Sequence, residues 1–268
     1  MAKAKIDVFD LLEKIRCEKP VVHHLTNWVT IYDCAQVVKV MGGSPVMAHA
    51  KEEVAQMARI ASSLVLNIGT LTVDFVEAMK IAAHAANEKG IPVILDVCGA
   101  GATRLRDEKC FELLDETHIH IIKGNASEIA RINGEEVSTK GVDATEIDKD
   151  LFKIAQELAI KRKATVVVTG KEDIVTDGEI SYLIKNGDPM LTHIVGSGCM
   201  AASVVGAFAA VERDLVYASC AGLICFEIAA ECAAAKSKGP GTFKENIFDC
   251  LAALDEETIK KNEKLERL

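Results

Sequence analysis

Short, almost continuously apolar runs rich in β-branched residues recur along the chain: SLVLNIG at 63–69, IPVILDV at 91–97, HIHIIKG at 118–124 and ATVVVTG at 164–170. A strand covered on both faces has no side to show to water, so each run predicts a buried strand. Residues 51–60, 72–89 and 146–162 instead carry apolar side chains at helical spacing. Strand, helix, strand in succession predicts a parallel sheet. After the fourth run the pattern changes to DIVTDGEISYLIKNG at 173–187, where Asp177 and Gly178 between two short runs predict a two-residue hairpin. From Cys199 onward the chain is Ala-rich and mostly helical, interrupted by the turn KSKGPGTF at 236–243. No linker, repeat or low-complexity tract divides it. Residues 1–268 therefore read as one α/β domain, with a mostly parallel central sheet flanked by helices and an antiparallel edge hairpin.

Composition narrows the function classes. The chain has 268 residues, 49% hydrophobic and 26% charged, a length that buries roughly three quarters of the surface exposed by the unfolded chain without staples. Its formal net charge of −9 repels a phosphate backbone, and no basic block interleaved with aromatics overrides it. That argues against nucleic acid as a partner. The N-terminal MAKAKIDVFDLLEKIR lacks the apolar centre of a signal peptide. The longest quiet stretch, Met200 to Val211, is too short for about 30 Å of hydrocarbon, so no membrane segment is expected. Nine scattered cysteines, with no C-x-x-C pair or zinc spacing, point to the reducing cytosol.

Three segments carry candidate chemistry. Gly196-Ser197-Gly198-Cys199 opens the helical run MAASVVGAFAAV, and glycines before a helix expose first-turn N–H groups to an anion such as phosphate. An ordinary glycine-rich start of a helix with a small buried thiol accounts for it equally well. In LDVCGAGATR, Asp96 ends a predicted strand at the edge where open α/β sheets bind ligands. Such an Asp holds Mg²⁺ through water or caps the following turn. The glycines of 99–101 lack the third glycine and the following helix of a dinucleotide fingerprint, so NAD is discounted. In Lys123-Gly-Asn-Ala-Ser-Glu128, Asn125 or Ser127 predicts an N-cap, and Glu128 complements the helix dipole. The functional reading puts Lys123 near triphosphate oxygens and Glu128 near a metal. No G-x-x-x-x-G-K-[ST] and no G-x-S-x-G is present.

These segments, together with HHLTNWV (23–29), GGSPVMAHAKEEV (42–54), LVLNIGTL (64–71), VVVTGKEDIVTDG (166–178) and KGPGTF (238–243), occur in an order and spacing that resembles the hydroxyethylthiazole kinases of the ribokinase-like superfamily. The resemblance covers nearly the whole chain. It implies a ribokinase-like fold, ATP-dependent phosphorylation of 4-methyl-5-(2-hydroxyethyl)thiazole with Mg²⁺, and a homotrimer with thiazole pockets between subunits. It implies that Asn27, Val29, Met47, Gly69 and Gly196 line the thiazole site and that Cys199 is the catalytic residue. Lys123, Thr169, Gly198, Gly239 and Gly241 would contact ATP, and Asp96 and Glu128 would organise the metal.

The chain departs from the family pattern at three places. Lys123 stands where Arg is usual, replacing a bidentate fork by a point charge. Asp96-Val97-Cys98 replaces Asp-Pro-Val, and Tyr32-Asp33-Cys34-Ala35 replaces an Asn-containing helix. None removes a carboxylate, so these bear on affinity more than on reaction class. The competing readings are a kinase for a pyrimidine or pyridoxal alcohol, a nucleotide-dependent hydro-lyase, a non-catalytic ligand-binding relative, and an acyl-transfer enzyme using Cys199. Relatives of the first two kinds usually carry Asp where Cys199 stands, and no His and carboxylate accompany Cys199 as the last requires.

Overall fold

The computed structural model describes residues 6–135 and 144–268. Among them nine strands form one sheet: β1 Val21–Leu25, β2 Ser44–Val46, β3 Ser63–Asn67, β4 Val93–Asp96, β5 Ile121–Asn125, β6 Thr165–Thr169, β7 Asp173–Thr176, β8 Ser181–Ile184 and β9 Leu265–Arg267. Their spatial order is β2-β1-β3-β4-β5-β6-β7-β8-β9. The first six are mutually parallel, and β7, β8 and β9 pair antiparallel. All four predicted parallel strands are present. The run VVHHL, interrupted by two histidines, was not predicted as a strand, and neither was the three-residue β2.

The predicted hairpin requires two corrections. The strands are joined by the four residues 177–180 and not by two; within them the Asp177 amide bonds the Ile180 carbonyl at 3.2 Å, and Asp177 Oδ1 accepts the amides of Glu179 and Ile180 at 2.9 and 2.7 Å. The outermost strand is β9, which pairs with β8 and covers its free side.

Helices cover both faces. They are α1 Val8–Glu18, α2 Ile31–Val40, α3 Val54–Ile60, α4 Val73–Lys89, α5 Arg104–Glu116, α6 Ala126–Asn133, α7 Ala144–Arg162, α8 Ser197–Ala209, α9 Leu215–Lys236, α10 Pro240–Ala252 and α11 Glu256–Asn262. Side chains alternate across a strand, so Val65 joins one core while Leu64 and Leu66 join the other. The first core is closed by α1, α2, α8, α9, α10 and α11, the second by α3 to α7. A helix does follow the glycines of 99–101, but α5 is capped by the Thr103 hydroxyl and not by a ligand.

Met200 to Val211 lies in and just beyond α8, and the longer apolar helix is α9. By length and composition α9 could cross a membrane, yet 78% of its most apolar window is buried inside the molecule. Apart from Glu227 and Glu231 it is apolar on most sides, because α8, α10 and α1 pack around it.

Six parallel strands aim six carboxyl ends at one edge. Asn27, Met47, Asn67, Asp96 and Thr169 lie at or just beyond those ends, and Lys123 lies two residues before the end of β5. Ser63, at the start of β3, bonds the Gly206 carbonyl of α8 at 2.7 Å, so α8 runs from the carboxyl edge down to the amino edge. Helix α9 returns, and its end brings Gly239 and Gly241 back to the upper side.

Candidate active site

Register assembles the centre of the site. Asn67 pairs with Asp96 across β3 and β4, and Asp96 with Lys123 across β4 and β5. Register partners share a face of the sheet, so amide, carboxylate and ammonium form a row beneath the start of α8. All three are at most 4% exposed. Asp96 Oδ2 accepts from Asn67 Nδ2 at 2.8 Å, and Lys123 Nζ lies 3.6 Å from Asp96 Oδ1. That second oxygen is buried without a hydrogen-bond partner. Burial pushes the Asp96 carboxyl up to about 7, against the pull of Lys123. Burial also opposes the Lys123 charge, but Asp96 and Glu128 outweigh it and hold the ammonium above its ordinary value.

Two asparagines orient the sulfur. Asn27 Oδ1 accepts the amides of Val29 and Thr30, each at 3.1 Å, and Asn67 Oδ1 accepts the Gly69 amide at 2.8 Å. These bonds fix which end of each side chain is NH₂. Both NH₂ groups then point at Cys199 Sγ, at 3.2 Å from Asn27 and 3.3 Å from Asn67. A sulfur receiving two N–H donors is suited to being thiolate. Hydrogen bonding from Cys98 contributes most, and with Thr30, Lys123 and Asn27 it outweighs burial and brings the Cys199 thiol down to about 5.

Helix α8 begins without a side-chain cap. Its N-cap is Gly196 at φ +91, where a Cβ would lie 2.4 Å from Thr30 Cγ2. The first helical bond runs from Met200 N to Gly196 O, so the amides of Ser197, Gly198 and Cys199 have no helix carbonyl to bond. A Cβ on Gly198 would lie 2.9 Å from Lys123 Nζ. The absent side chain lets the ammonium sit against these amides. Together they form a positive, donor-rich cradle beside an ionised sulfur.

Helix α6 differs. Asn125 is its N-cap, as one of the two sequence alternatives held, and Glu128 completes a capping box. Glu128 Oε2 accepts the Asn125 amide at 2.8 Å, while Oε1 accepts the Gly99 amide at 2.7 Å and ties α6 to the loop after β4.

The other expected residues are placed less centrally. Gly69 packs on both asparagines, where a Cβ would come within 2.9 Å of Asn67 Oδ1. Val29 is 67% exposed on the rim, beside exposed Trp28 and Tyr32, and Met47 is half-buried just beyond β2. Thr169 donates weakly to the Gly124 carbonyl at 3.4 Å. Gly239 and Gly241 stand apart, with nothing within 4 Å of a built Cβ.

Sequence reasoning missed Asn67, Arg106 and Cys98. Asn67 is the one amide closing an otherwise apolar strand run, and that interruption was its only signal. Arg106 bonds the carbonyls of Ile68, Cys98 and Gly69 at 2.9, 3.2 and 2.7 Å, which clamps two site loops from α5. Nothing in its local sequence marks that role. Among the described residues, no group of three or more His, Cys, Asp or Glu is gathered as a metal cage.

Comparison with known proteins places this arrangement. The profile of the hydroxyethylthiazole kinase family matches residues 12–257. A hydroxyethylthiazole kinase of Methanosarcina acetivorans is 51% identical over 255 residues, covering 95% of this chain and 98% of its own. A solved hydroxyethylthiazole kinase structure from Pyrococcus horikoshii OT3 superposes with a TM-score of 0.91 at 36% identity, covering 97% of this chain and 98% of its own. A ribokinase-like superfamily protein from Enterococcus faecalis V583, 10% identical with a TM-score of 0.63, covers 94% of this chain and 98% of its own and shares the fold alone.

Proposed function

The chain belongs to the hydroxyethylthiazole kinase family, and from that premise we propose that it transfers the terminal phosphoryl group of ATP to the primary alcohol of 4-methyl-5-(2-hydroxyethyl)thiazole, a step of thiamine biosynthesis. The observation that carries the reading is the uncapped start of α8, whose free amides sit beside Lys123 and the doubly hydrogen-bonded Cys199 sulfur.

Phosphoryl transfer needs alignment and charge stabilisation more than covalent help. In this reading the Ser197, Gly198 and Cys199 amides and the Lys123 ammonium receive the migrating phosphoryl oxygens. Cys199 Sγ accepts the hydrogen bond of the substrate hydroxyl and aims its oxygen. A thiolate titrating near 5 is available at neutral pH but is a weak base, so it takes the proton late, once the new P–O bond makes the hydroxyl acidic. Asn27 and Asn67 hold the sulfur in place, and Gly69 and Gly196 leave room for the acceptor. Val29 and Met47 supply apolar walls to the thiazole, while Thr169, Gly239 and Gly241 face the nucleotide.

The donor set fits Mg²⁺. Asp96 Oδ1 is buried without a hydrogen-bond partner, and this ion keeps several waters and needs no protein cage. Asp96 and Glu128 would hold it, and when bound it neutralises charge on the triphosphate. The exposed apolar rim of Trp28, Val29, Tyr32 and Val195 supports a homotrimer with acceptor pockets between subunits. The nine free thiols support a cytoplasmic setting, and the continuous sheet supports a single kinase domain.

The test is a mass-resolved product assay with ATP, offering the thiazole alcohol in parallel with pyrimidine and pyridoxal alcohols. Thiazole phosphate as the main product is expected. Transfer to none of them would favour a ligand-binding protein and overturn the reading.

A further inference from the structure

A cavity of about 190 Å³ adjoins the glycine-rich turn. Thr169, Ser197, Gly198 and Phe226 line it, together with two carboxyl groups, Asp173 at the start of β7 and Glu227 in the middle of α9. The residues are 3% and 6% exposed, and the two carboxyls hydrogen-bond each other. Their donor supply is short. The Gly170 amide reaches Asp173 Oδ1 at 2.9 Å, while no N–H or hydroxyl reaches Glu227 Oε2. Glu227 Oε2 is thus left without a donor beside a cavity that reaches the phosphate cradle. Burying such a pair for packing alone is strongly unfavourable for each uncompensated charge, and an apolar pair would link β7 to α9 without that cost.

We propose that Asp173 and Glu227 form the ribose contact of the nucleotide, accepting hydrogen bonds from the sugar's vicinal hydroxyls. The inference rests on the kinase reading above. Phosphate oxygens are acceptors and gain nothing from these carboxyls. The first donors met beyond the phosphates of a nucleotide are its sugar hydroxyls, and the cavity begins at Ser197 and Gly198, where the phosphates are held. Burial raises the Asp173 carboxyl and pushes Glu227 well above the ordinary glutamate value. Both shifts disfavour presenting two full charges to the triphosphate.

The experiment compares ATP, 2′-deoxy-ATP and 2′,3′-dideoxy-ATP, by steady-state transfer to the thiazole alcohol and by calorimetric binding without acceptor, in the wild-type protein, Glu227→Gln and Glu227→Ala. Wild-type affinity is expected to fall about 10-fold from ATP to the dideoxy nucleotide, the size of a hydrogen bond to a charged group. Glu227→Ala is expected to bring the two within about twofold, with Glu227→Gln between and KM for the alcohol unmoved. A purely structural pair would leave the ratio between nucleotides intact. Equal use of ATP and dideoxy-ATP by the wild-type protein, or discrimination retained in Glu227→Ala, overturns the inference. Because the binding arm needs no turnover, absence of phosphoryl transfer would sink the kinase reading and leave the ribose contact still decided by affinity.

Discussion

Two helices start at the same edge of the sheet and treat their free N–H groups in opposite ways. At α6 the chain satisfies them itself: Asn125 caps the Glu128 amide at 2.9 Å, and Glu128 reaches back to the Asn125 amide. At α8 a left-handed glycine replaces the cap, and no side chain closes the helix end. Both segments invited a phosphate reading from sequence. The structure separates them, because an anion gains little at a helix start whose donors are already engaged and much at one whose donors have no other partner.

The largest expected effect comes from closing the open start. Gly196→Ala adds a Cβ against Thr30 at a positive φ and tilts the first-turn amides, so kcat should fall roughly 100- to 1000-fold, the range for loss of an oxyanion donor. Single-turnover transfer with a parallel thermal melt checks it. A folded variant with near wild-type kcat would erase the contrast between the helices. Next, Cys199→Ala should lower the chemical rate about 100-fold, the lower end for a group handling the substrate proton, while leaving KM for ATP nearly unchanged. An unaltered chemical rate would remove the sulfur from the mechanism.

A smaller effect concerns protonation. Cys199 is thiolate above its midpoint near 5 and thiol below it, whereas an ordinary thiol ionises near about 8.5. Peptide-resolved alkylation by iodoacetamide at pH 6.5 should therefore label Cys199 about 10-fold faster than exposed Cys17, allowing for the lower nucleophilicity of an acidic thiol and its burial. The rate should fall only as pH drops through 5. Smallest is Asn125→Ala, which removes the α6 cap and should cost about 1 kcal/mol in urea unfolding. Turnover should fall far less than in Gly196→Ala. An equal loss of turnover would mean that the α6 amides receive the anion as those of α8 do.

Much of the fold was legible because buried parallel strands must be apolar on both faces, which marks them in a linear text. The strand VVHHL escaped because its histidines break the run, although His24 lies fully inside. The hairpin was legible in type and misread in length, since its tip is held by bonds from Asp177 to Glu179 and Ile180 that only the folded loop displays. Within the site, Asp96, Lys123, Gly196 and Cys199 stood in visible motifs. Asn67 and Arg106 did not, because their roles include bonds to partners 29 and 38 residues away.

What the sequence determined by itself was local: which runs become strands, where glycine permits a turn no other residue accepts, and that a helix begins near Asn125 or Ser127 with Glu128 in its first turn. Those outcomes depend on backbone sterics and bonds between residues a few positions apart. The tertiary structure alone decided that Asn27 and Asn67 aim their donors at one sulfur, that Lys123 lies against Gly198, and that Asp173 meets Glu227. Such meetings depend on strand register and on how α8 and α9 lie across the sheet. These are set by packing over the whole core, and no window of sequence contains them.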